Sequence, residues 1–235
     1  MEVLVITPVK DSLETTRKTI EAVSTSHGNF GYFVFNDFSN HETRAFLSET
    51  CNQLHFSLIN LEDITTTPSP NYKIILQKAR ELAIKNNVPL LLIESDVIVQ
   101  PSTIKEMLEI SGYLIHPGLV GAVTIDKTGS FNFPYAYLRS DSRKWIKTRH
   151  SISFCCTLIT LEFLRTYDFN QLPAKKDWFD IFISKQSRKN GFYNYLLPGT
   201  QVLHLPHSSR PWKQLKYTNP LKYYYHKFLH HRDRI

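Results

Sequence analysis

Two carboxylates stand one residue apart at Glu94-Ser95-Asp96, directly after the apolar run 88–93. On a strand edge or a turn, side chains at such spacing can approach one hard cation, because Mg²⁺ and Mn²⁺ prefer oxygen ligands. A cation held there could bridge to a diphosphate. Most acid-x-acid triplets are merely solvated turns, but the position of this one after a fully apolar strand favours a metal and diphosphate site.

Two further polar segments follow predicted strands. Thr7-Pro8-Val9 ends the first strand and Asn36-Asp37 ends the second. In parallel sheets, ligands bind beyond the carboxyl ends of the strands, where an acidic side chain commonly meets a ribose hydroxyl or a base edge. Asp37 is therefore a candidate nucleotide contact, although the same residue type also forms turns and helix N-caps.

An acidic pair in the second half is a candidate general base. Asp177 and Asp180 begin a predicted helix, after Lys175 and Lys176. A carboxylate there could deprotonate an acceptor hydroxyl, or it could serve only as a helix cap. His204 and His207 follow a short strand, where an imidazole could complete a metal shell or contact phosphate. Their spacing fits no zinc motif.

The elements that must position these residues alternate over positions 1–124. The patterns predict strands at 3–6, 32–35, 56–60, 89–93 and 119–124, with helices at 13–24, 42–52, 71–87 and 102–110. This alternation indicates an α/β fold with a Rossmann-like, mostly parallel sheet flanked by helices. Asp11-Ser12 with Glu14 suggests a capping box on the first helix.

The second half is more mixed, and we expect one domain (1–235) with a nucleotide-binding half at 1–124 and an acceptor-binding half at 125–235. Residues 130–149 are predicted to be a loop or hairpin whose aromatic side chains Tyr135, Tyr137 and Trp145 could stack on sugar rings. Predicted strands lie at 153–160, 193–197 and 201–203. Predicted helices lie at 161–167, 177–190 and 217–231.

Composition and charge narrow the function. The net charge is +7, and beyond Gln201 seven Lys/Arg face one acid, Asp233. A basic tail suits an anionic partner, although its interleaved aromatics could equally pack on the core. Three cysteines fit neither a disulfide framework nor a zinc site. With no signal peptide and no apolar run near the ~20 residues of a membrane span, we expect a cytoplasmic protein whose tail could contact a membrane peripherally.

Read in order, these motifs resemble the family-two inverting glycosyltransferases of the GT-A fold. Residues 5–11 are similar to the family's opening strand, and 36–40 to its Asp-Asp-Gly-Ser motif, with Asn36 in place of the first Asp. Residues 91–97 resemble its strand with the Asp-x-Asp turn, with Glu94 in place of the first Asp. Lys73 stands near the position of a base-contacting polar residue.

The resemblance continues into the second half. Residues 177–180, with Arg188 and Gly191-Phe192, are similar to the family's acidic motif before a helix, although the expected Glu-Asp pair is altered. Val202-Leu203-His204 resembles a strand that ends in a histidine near the metal or diphosphate. Residues 223–227 are similar to the aromatic-basic segment that often closes such chains.

The resemblance implies a metal-dependent, hexosyltransferase-like enzyme of polysaccharide biosynthesis. It would take a nucleotide-diphosphate sugar donor and a glycan or lipid-linked acceptor, use Mn²⁺ or Mg²⁺, and bind no nucleic acid. Asp96 and His204 would hold the metal, and Asp177 or Asp180 would be the base. The implied nucleotide contacts are Thr7, Pro8, Val9, Asp37, Lys73, Glu94 and Ser95. Two alternatives stay open: an inactive relative that binds nucleotide only, and a basic module that binds lipid or nucleic acid.

Overall fold

One sheet of nine strands lies at the centre of the computed structural model, which describes residues 1–138, 143–173, 178–205 and 219–229. The strands are β1 (Val3–Val9), β2 (Phe30–Asn36), β3 (Ser57–Asn60), β4 (Leu90–Ile93), β5 (Val97–Ile98), β6 (Pro117–Ile125), β7 (Ile146–Thr148), β8 (Cys156–Ile159) and β9 (Tyr193–His204). The helices are α1 (Leu13–Ser24), α2 (His41–Thr50), α3 (Tyr72–Lys85), α4 (Thr103–Tyr113), α5 (Leu161–Thr166), α6 (Phe179–Lys189) and α7 (Pro220–Leu229).

The strand order confirms the predicted α/β fold with a mostly parallel sheet. Along the sheet it is β3-β2-β1-β4-β8-β6-β9-β5, and β7 pairs with β9. The longer pairings, β1 with β2 and β6 with β9, are parallel. Strand β8, from the second half of the chain, runs antiparallel between β4 and β6 and so joins the two parallel parts of the sheet.

The central strands are apolar on both faces because helices cover both faces. Val3 and Val5 of β1 point into a core formed with α1, α2 and α4, whereas Leu4 and Ile6 point into a second core formed with α3, α5 and α6. These alternating positions are fully buried. Consecutive side chains of a strand point to opposite faces, which explains why this segment is a continuous apolar run.

The parallel strands bring their carboxyl ends to one edge of the sheet, where the polar segments lie. Strand β4 is parallel to β1, and β6 runs in the same direction because β8 is antiparallel to both. The residues that follow these strands therefore meet at this edge, which we call the carboxyl edge. The last residue of β9, His204, reaches the same edge.

Two local predictions were wrong. The strands predicted at 193–197 and 201–203 are one continuous strand, β9. Its pairing with β6 is interrupted once: Leu197 pairs with Ala122, and the next residue of β6, Val123, pairs with Gln201. The intervening residues 198–200 form a bulge within this one strand. The capping box on α1 is also absent: Ser12 is the N-cap without a side-chain capping bond, and Glu14 instead pairs with Lys18 at 2.6 Å.

No helix in the described part of the chain is long and apolar enough to cross a membrane.

Candidate active site

The turn Glu94-Ser95-Asp96 is fixed by backbone hydrogen bonds to both neighbouring segments. The N–H of Glu94 donates to the carbonyl of Cys155 at 3.0 Å, and the N–H of Leu205 donates to the carbonyl of Asp96 at 2.8 Å. Directly after the turn, Val97 of β5 pairs with His204 of β9 in antiparallel register. This pairing places Asp96 beside His204 at the carboxyl edge.

Asp96 and His204 form a buried pair. The Nε2 atom of His204 lies 3.5 Å from Oδ2 of Asp96, and Nδ1 lies 3.1 Å from the carbonyl oxygen of Phe133. The Asp96 side chain is only 3% exposed. Burial by itself lowers the pKa of His204, but the hydrogen bond and charge of Asp96, with the charge of Glu94, outweigh it and raise the pKa above its ordinary value.

Glu94 experiences an excess of negative charge. Burial, and then the charge of Asp96, raise its pKa to about 7, against the opposing charge of His204. The charge of Asp180, in α6, raises the pKa of Glu94 to a smaller extent. A cation bound among these groups would relieve the repulsion, so their charge and chemistry fit a divalent metal.

The described residues contain no cluster of three or more His, Cys, Asp or Glu side chains that could hold a metal alone. Asp96 and His204, with Glu94 nearby, can supply only part of the octahedral shell that Mg²⁺ prefers. The remaining positions suit diphosphate oxygens and water, since Mg²⁺ commonly binds through one or two carboxylates together with substrate phosphates.

Asp37 is bound to the segment that leads into α3. Its Oδ2 accepts hydrogen bonds from the hydroxyl of Ser69 at 2.7 Å and from the N–H of Asn71 at 2.8 Å, and its Oδ1 accepts from the Asn71 amide at 2.8 Å. Asn36 is fully buried and donates to Asn60 at 2.9 Å. The carboxylate of Asp37 therefore fixes the N-terminus of α3.

At the end of β1, the side chains of Thr7 and Val9 point into the core. The hydroxyl of Thr7 accepts a hydrogen bond from Tyr32 at 2.9 Å inside the core. Val9 is also a core residue, 1% exposed, and its carbonyl accepts from the N–H of Asp37 at 2.8 Å. Pro8 is half-buried and points to the other face of the strand. Any ligand contact at Thr7 or Val9 would have to use the backbone.

The loops after β1 and β2 are tied together by residues to which the sequence gave no site role. The N–H of Asn40 donates to Oδ1 of Asp11 at 2.7 Å, and the N–H of Asp11 donates to the hydroxyl of Ser39 at 3.1 Å. The ammonium of Lys10 donates to the carbonyl of Phe38. No local pattern predicts these bonds, because the partners are 28 or 29 residues apart.

The second-half candidates are partly described. Asp180 lies in the first turn of α6, half-buried, with Oδ1 accepting from the N–H of Ile181 at 2.8 Å. Asp177, Lys175, Lys176 and His207 lie outside the described residues. The ammonium of Lys73 donates to the carbonyl of Leu172. Ser95 is buried in the acidic turn.

The aromatic residues proposed for sugar stacking differ in exposure. Tyr137 is 51% and Trp145 39% exposed, whereas Tyr135 is 1% exposed and its hydroxyl accepts from the N–H of Ser153 at 2.9 Å. The stacking role expected for Tyr135 is therefore wrong: this ring is part of the core. In α7, Tyr223 is buried, while Tyr224 and Tyr225 are exposed.

The solved structures that superpose on this chain include glycosyltransferases. Residues 1–349 of TarS from S. aureus superpose with a TM-score of 0.64 at 16% identity, over 87% of this chain and 60% of that one. The mannosyltransferase PcManGT from Pyrobaculum calidifontis, in complex with GDP-Man and Mn²⁺, gives a TM-score of 0.62 at 14% identity, over 94% and 62%. This chain has a GT-A glycosyltransferase fold.

A third GT-A structure, GalNAc-T7 with UDP, GalNAc and Mn²⁺, superposes with a TM-score of 0.59 at 12% identity, over 88% of this chain and 44% of that one. The chain thus spans about 60% of the length of TarS 1–349 and less than half of GalNAc-T7. No protein-family model matches the sequence, and the comparison with curated proteins gives no match. At these identities the likeness establishes the GT-A fold alone.

Proposed function

We propose that the chain transfers a sugar from a nucleotide-diphosphate donor to an acceptor hydroxyl, with inversion and with the assistance of a divalent cation. The observation that carries the proposal is the meeting of the acidic turn Glu94-Ser95-Asp96 with His204 at the carboxyl edge of a GT-A sheet. The GT-A structures in complex with UDP-GlcNAc and with GDP-Man and Mn²⁺ support a nucleotide-sugar donor and a metal.

The acidic turn Glu94-Ser95-Asp96 would bind the diphosphate leaving group through the metal ion. Asp96 and His204, assisted by Glu94, would hold Mn²⁺ or Mg²⁺, which supplies positive charge for the diphosphate that departs. Asp37, Pro8 and Ser95 would line the nucleotide side. The first half of the chain would therefore bind the donor.

The first turn of α6 serves the acceptor. Asp180, or Asp177, takes the proton of the acceptor hydroxyl while the oxygen of that hydroxyl bonds to the anomeric carbon of the donor sugar. The bond from that carbon to the diphosphate oxygen breaks on the opposite face, and the nucleoside diphosphate leaves with the electron pair. Inversion follows because one displacement occurs at the anomeric carbon.

The exposed aromatic side chains suit a glycan or lipid-linked acceptor. Tyr137 and Trp145 could stack on sugar rings, and His150 lies 5.3 Å from the Tyr137 ring. A peripheral membrane contact would use α7, where Leu221 is 86% and Tyr225 63% exposed. Apolar and aromatic side chains beside basic ones are typical of helices that lie on anionic membranes.

Calorimetric titration tests the donor site. UDP, GDP and dTDP are titrated into the wild type and Asp96→Ala, with and without Mn²⁺, and Asp63→Ala serves as an exposed acidic control. We expect one nucleotide to bind only with Mn²⁺, and this binding to be lost in Asp96→Ala but kept in Asp63→Ala. If the wild type binds none of the three nucleotides in Mn²⁺, the transferase proposal fails, and the basic tail becomes the place to look for function.

A further inference from the structure

The first turn of α3 connects the two halves of the site. Its N-cap residue, Asn71, is held by the carboxylate of Asp37 through two hydrogen bonds of 2.8 Å, one from its backbone and one from its side chain. Because Asp37 follows β2, the start of α3 is fixed to the nucleotide side of the carboxyl edge. The next two residues, Tyr72 and Lys73, reach across to the acceptor side.

Tyr72 packs on the residue that precedes Asp180. Its ring stacks on Phe179, the first residue of α6, with 6.3 Å between centroids and 16° between planes. On another side it stacks on Phe154 at 6.4 Å. The Tyr72 hydroxyl is buried, and it has no hydrogen-bond partner among the described residues. The contact of Tyr72 with the start of α6 is therefore the stacking of its ring on Phe179.

Lys73 binds Leu172, near the end of the described segment 143–173. Its half-buried ammonium donates to the carbonyl of Leu172, 99 residues away. Gln77 and Arg80, on the same face of α3, continue this contact: the Gln77 amide donates to Asn170 Oδ1 at 3.0 Å, and Arg80 donates to the Leu164 carbonyl at 2.8 Å. Positions spaced by three or four residues share one helix face. Of the residues that this face of α3 contacts, Leu172, the partner of Lys73, lies nearest to Asp180 in the sequence.

We propose that Tyr72 and Lys73 are positioning residues of the transfer reaction, and this inference rests on the proposed function. Adjacent residues of α3 thus hold two points near Asp180 in the sequence: Tyr72 packs on Phe179, and Lys73 binds Leu172 in the described segment that precedes α6. Asn71 fixes the same turn to Asp37. The three consecutive residues thereby set the distance between the nucleotide side and the carboxylate that accepts the proton.

Loss of these contacts should slow the reaction because proton transfer to the catalytic carboxylate is sensitive to geometry. A displacement of ~1 Å between a catalytic group and its substrate can cost about 100-fold in rate. A charge-assisted hydrogen bond to a carbonyl is about twice as strong as a neutral one, so Lys73 fixes Leu172 more firmly than an uncharged side chain would. The resemblance to known glycosyltransferases assigned Lys73 to the nucleotide base instead, and the two roles predict different kinetics.

Lys73→Met tests the proposal, because methionine keeps most of the apolar stem and removes the ammonium. Two quantities are measured in Mn²⁺: nucleotide affinity by calorimetry, and hydrolysis of UDP-GlcNAc, UDP-glucose and GDP-mannose, in which water replaces the acceptor hydroxyl. For the donor that the wild type hydrolyses, we expect kcat to fall at least tenfold, with KM and nucleotide Kd within twofold of wild type. Lys73→Arg, which keeps a charged donor, should restore most of kcat.

Tyr72 variants separate the ring from the hydroxyl. Tyr72→Phe keeps the stacking on Phe179 and should keep kcat within twofold, whereas Tyr72→Leu should lower kcat as Lys73→Met does. Lys78→Met is the matched control, because Lys78 lies on the same helix and its ammonium pairs with nearby Glu81 at 2.9 Å. Its kinetics should equal those of the wild type.

A spectroscopic measurement needs no turnover. Trp178 directly precedes Phe179, and the other two tryptophans, Trp145 and Trp212, can be replaced by phenylalanine. In that single-tryptophan protein, nucleotide binding should shift the emission of Trp178, and Lys73→Met should abolish the shift while the nucleotide still binds. If Lys73→Met melts below the assay temperature, Lys73→Gln replaces it.

The outcomes are distinguishable. A nucleotide Kd raised tenfold by Lys73→Met, with kcat unchanged at saturating donor, would make Lys73 a nucleotide contact and overturn the positioning role. Unchanged kcat and Kd in both Lys73→Met and Tyr72→Leu would also overturn it. If the wild type binds no nucleotide, the proposed function itself fails, and the positioning role fails with it.

Discussion

Asp96 and His204 lie side by side because the two-residue strand β5 pairs with the end of β9. Val97 is opposite His204 in this pairing, and the Asp96 carboxylate lies 3.5 Å from the imidazole. A carboxylate buried to this extent needs a positive partner, and either a protonated imidazole or a bound cation can supply it. The pair therefore links the acidic turn after β4 to the last strand of the sheet.

Replacement of His204 should weaken metal-dependent nucleotide binding. His204→Gln keeps a polar side chain of similar size but removes the imidazole that faces Asp96. We expect at least a tenfold rise in the Kd for the nucleotide in Mn²⁺, by calorimetry, because losing a second-shell or direct ligand typically costs about 10- to 100-fold in metal affinity. His27→Gln, at an exposed position, is the control. Equal affinity in both variants would remove His204 from the site.

Asp37→Asn should destabilise the protein. The carboxylate accepts three hydrogen bonds, and an amide would direct N–H donors toward the donors of Ser69 or Asn71. Hydrogen bonds to charged groups are worth about 1.5–3 kcal/mol each, so we expect a loss of about 2–3 kcal/mol in the free energy of unfolding in urea. Asp63→Asn, an exposed control, should change it little. Hydrogen exchange should also increase at the start of α3, and unchanged exchange there would contradict the anchoring role.

Thr7→Val tests whether the Thr7 side chain serves the core or contacts the nucleotide. The Thr7 hydroxyl accepts from Tyr32 inside the core, so valine would leave the buried Tyr32 hydroxyl without this acceptor and should cost about 1–3 kcal/mol of unfolding free energy. Nucleotide affinity should stay within twofold of wild type. A large loss of affinity at unchanged stability would instead show that the Thr7 side chain contacts the nucleotide, as the sequence suggested.

Gly118→Ala should disturb the packing between β6 and α6. A Cβ atom there would lie 2.0 Å from the hydroxyl oxygen of Ser187 and 2.9 Å from Cβ of Phe192. Overpacking of this kind typically costs about 1–3 kcal/mol, which thermal or urea unfolding would measure. Gly112 in α4 has open space at its Cβ position, so Gly112→Ala should leave stability unchanged or raise it by up to about 1 kcal/mol.

Thiol labelling should distinguish the three cysteines. Burial raises the pKa of Cys156 to about 12 and raises that of Cys155 well above its usual range. Because only the thiolate reacts, we expect a disulfide reagent at pH 8 to modify Cys51, which is partly exposed, and to reach the other two only after unfolding. Cys51→Ser should therefore abolish rapid labelling. Fast reaction at Cys155 in the folded protein would contradict its buried position beside Glu94.

The sequence by itself determined the alternating elements of the first half and the acidic turn at the end of β4. These are local properties: the helical spacing of Ile75, Leu76 and Ala79 is visible within a few turns, and a segment covered on both faces must be apolar throughout. The polar residues after β2 and β4 could be assigned to one edge because parallel strands end together. The GT-A fold was predictable to that extent.

Only the tertiary structure decided which side chains meet. The antiparallel insertion of β8 and the continuity of β9 through its bulge depend on strand pairing between distant segments, for which the sequence carries no local signal. The same holds for the direction of each polar group. The Thr7 hydroxyl is bound by Tyr32 of the neighbouring strand, the Lys73 ammonium donates to the carbonyl of Leu172, and Asp96 meets His204 because the two-residue strand β5 pairs with the end of β9. A side chain's type limits its chemistry, but its partner is fixed by the packing of elements far apart in the chain.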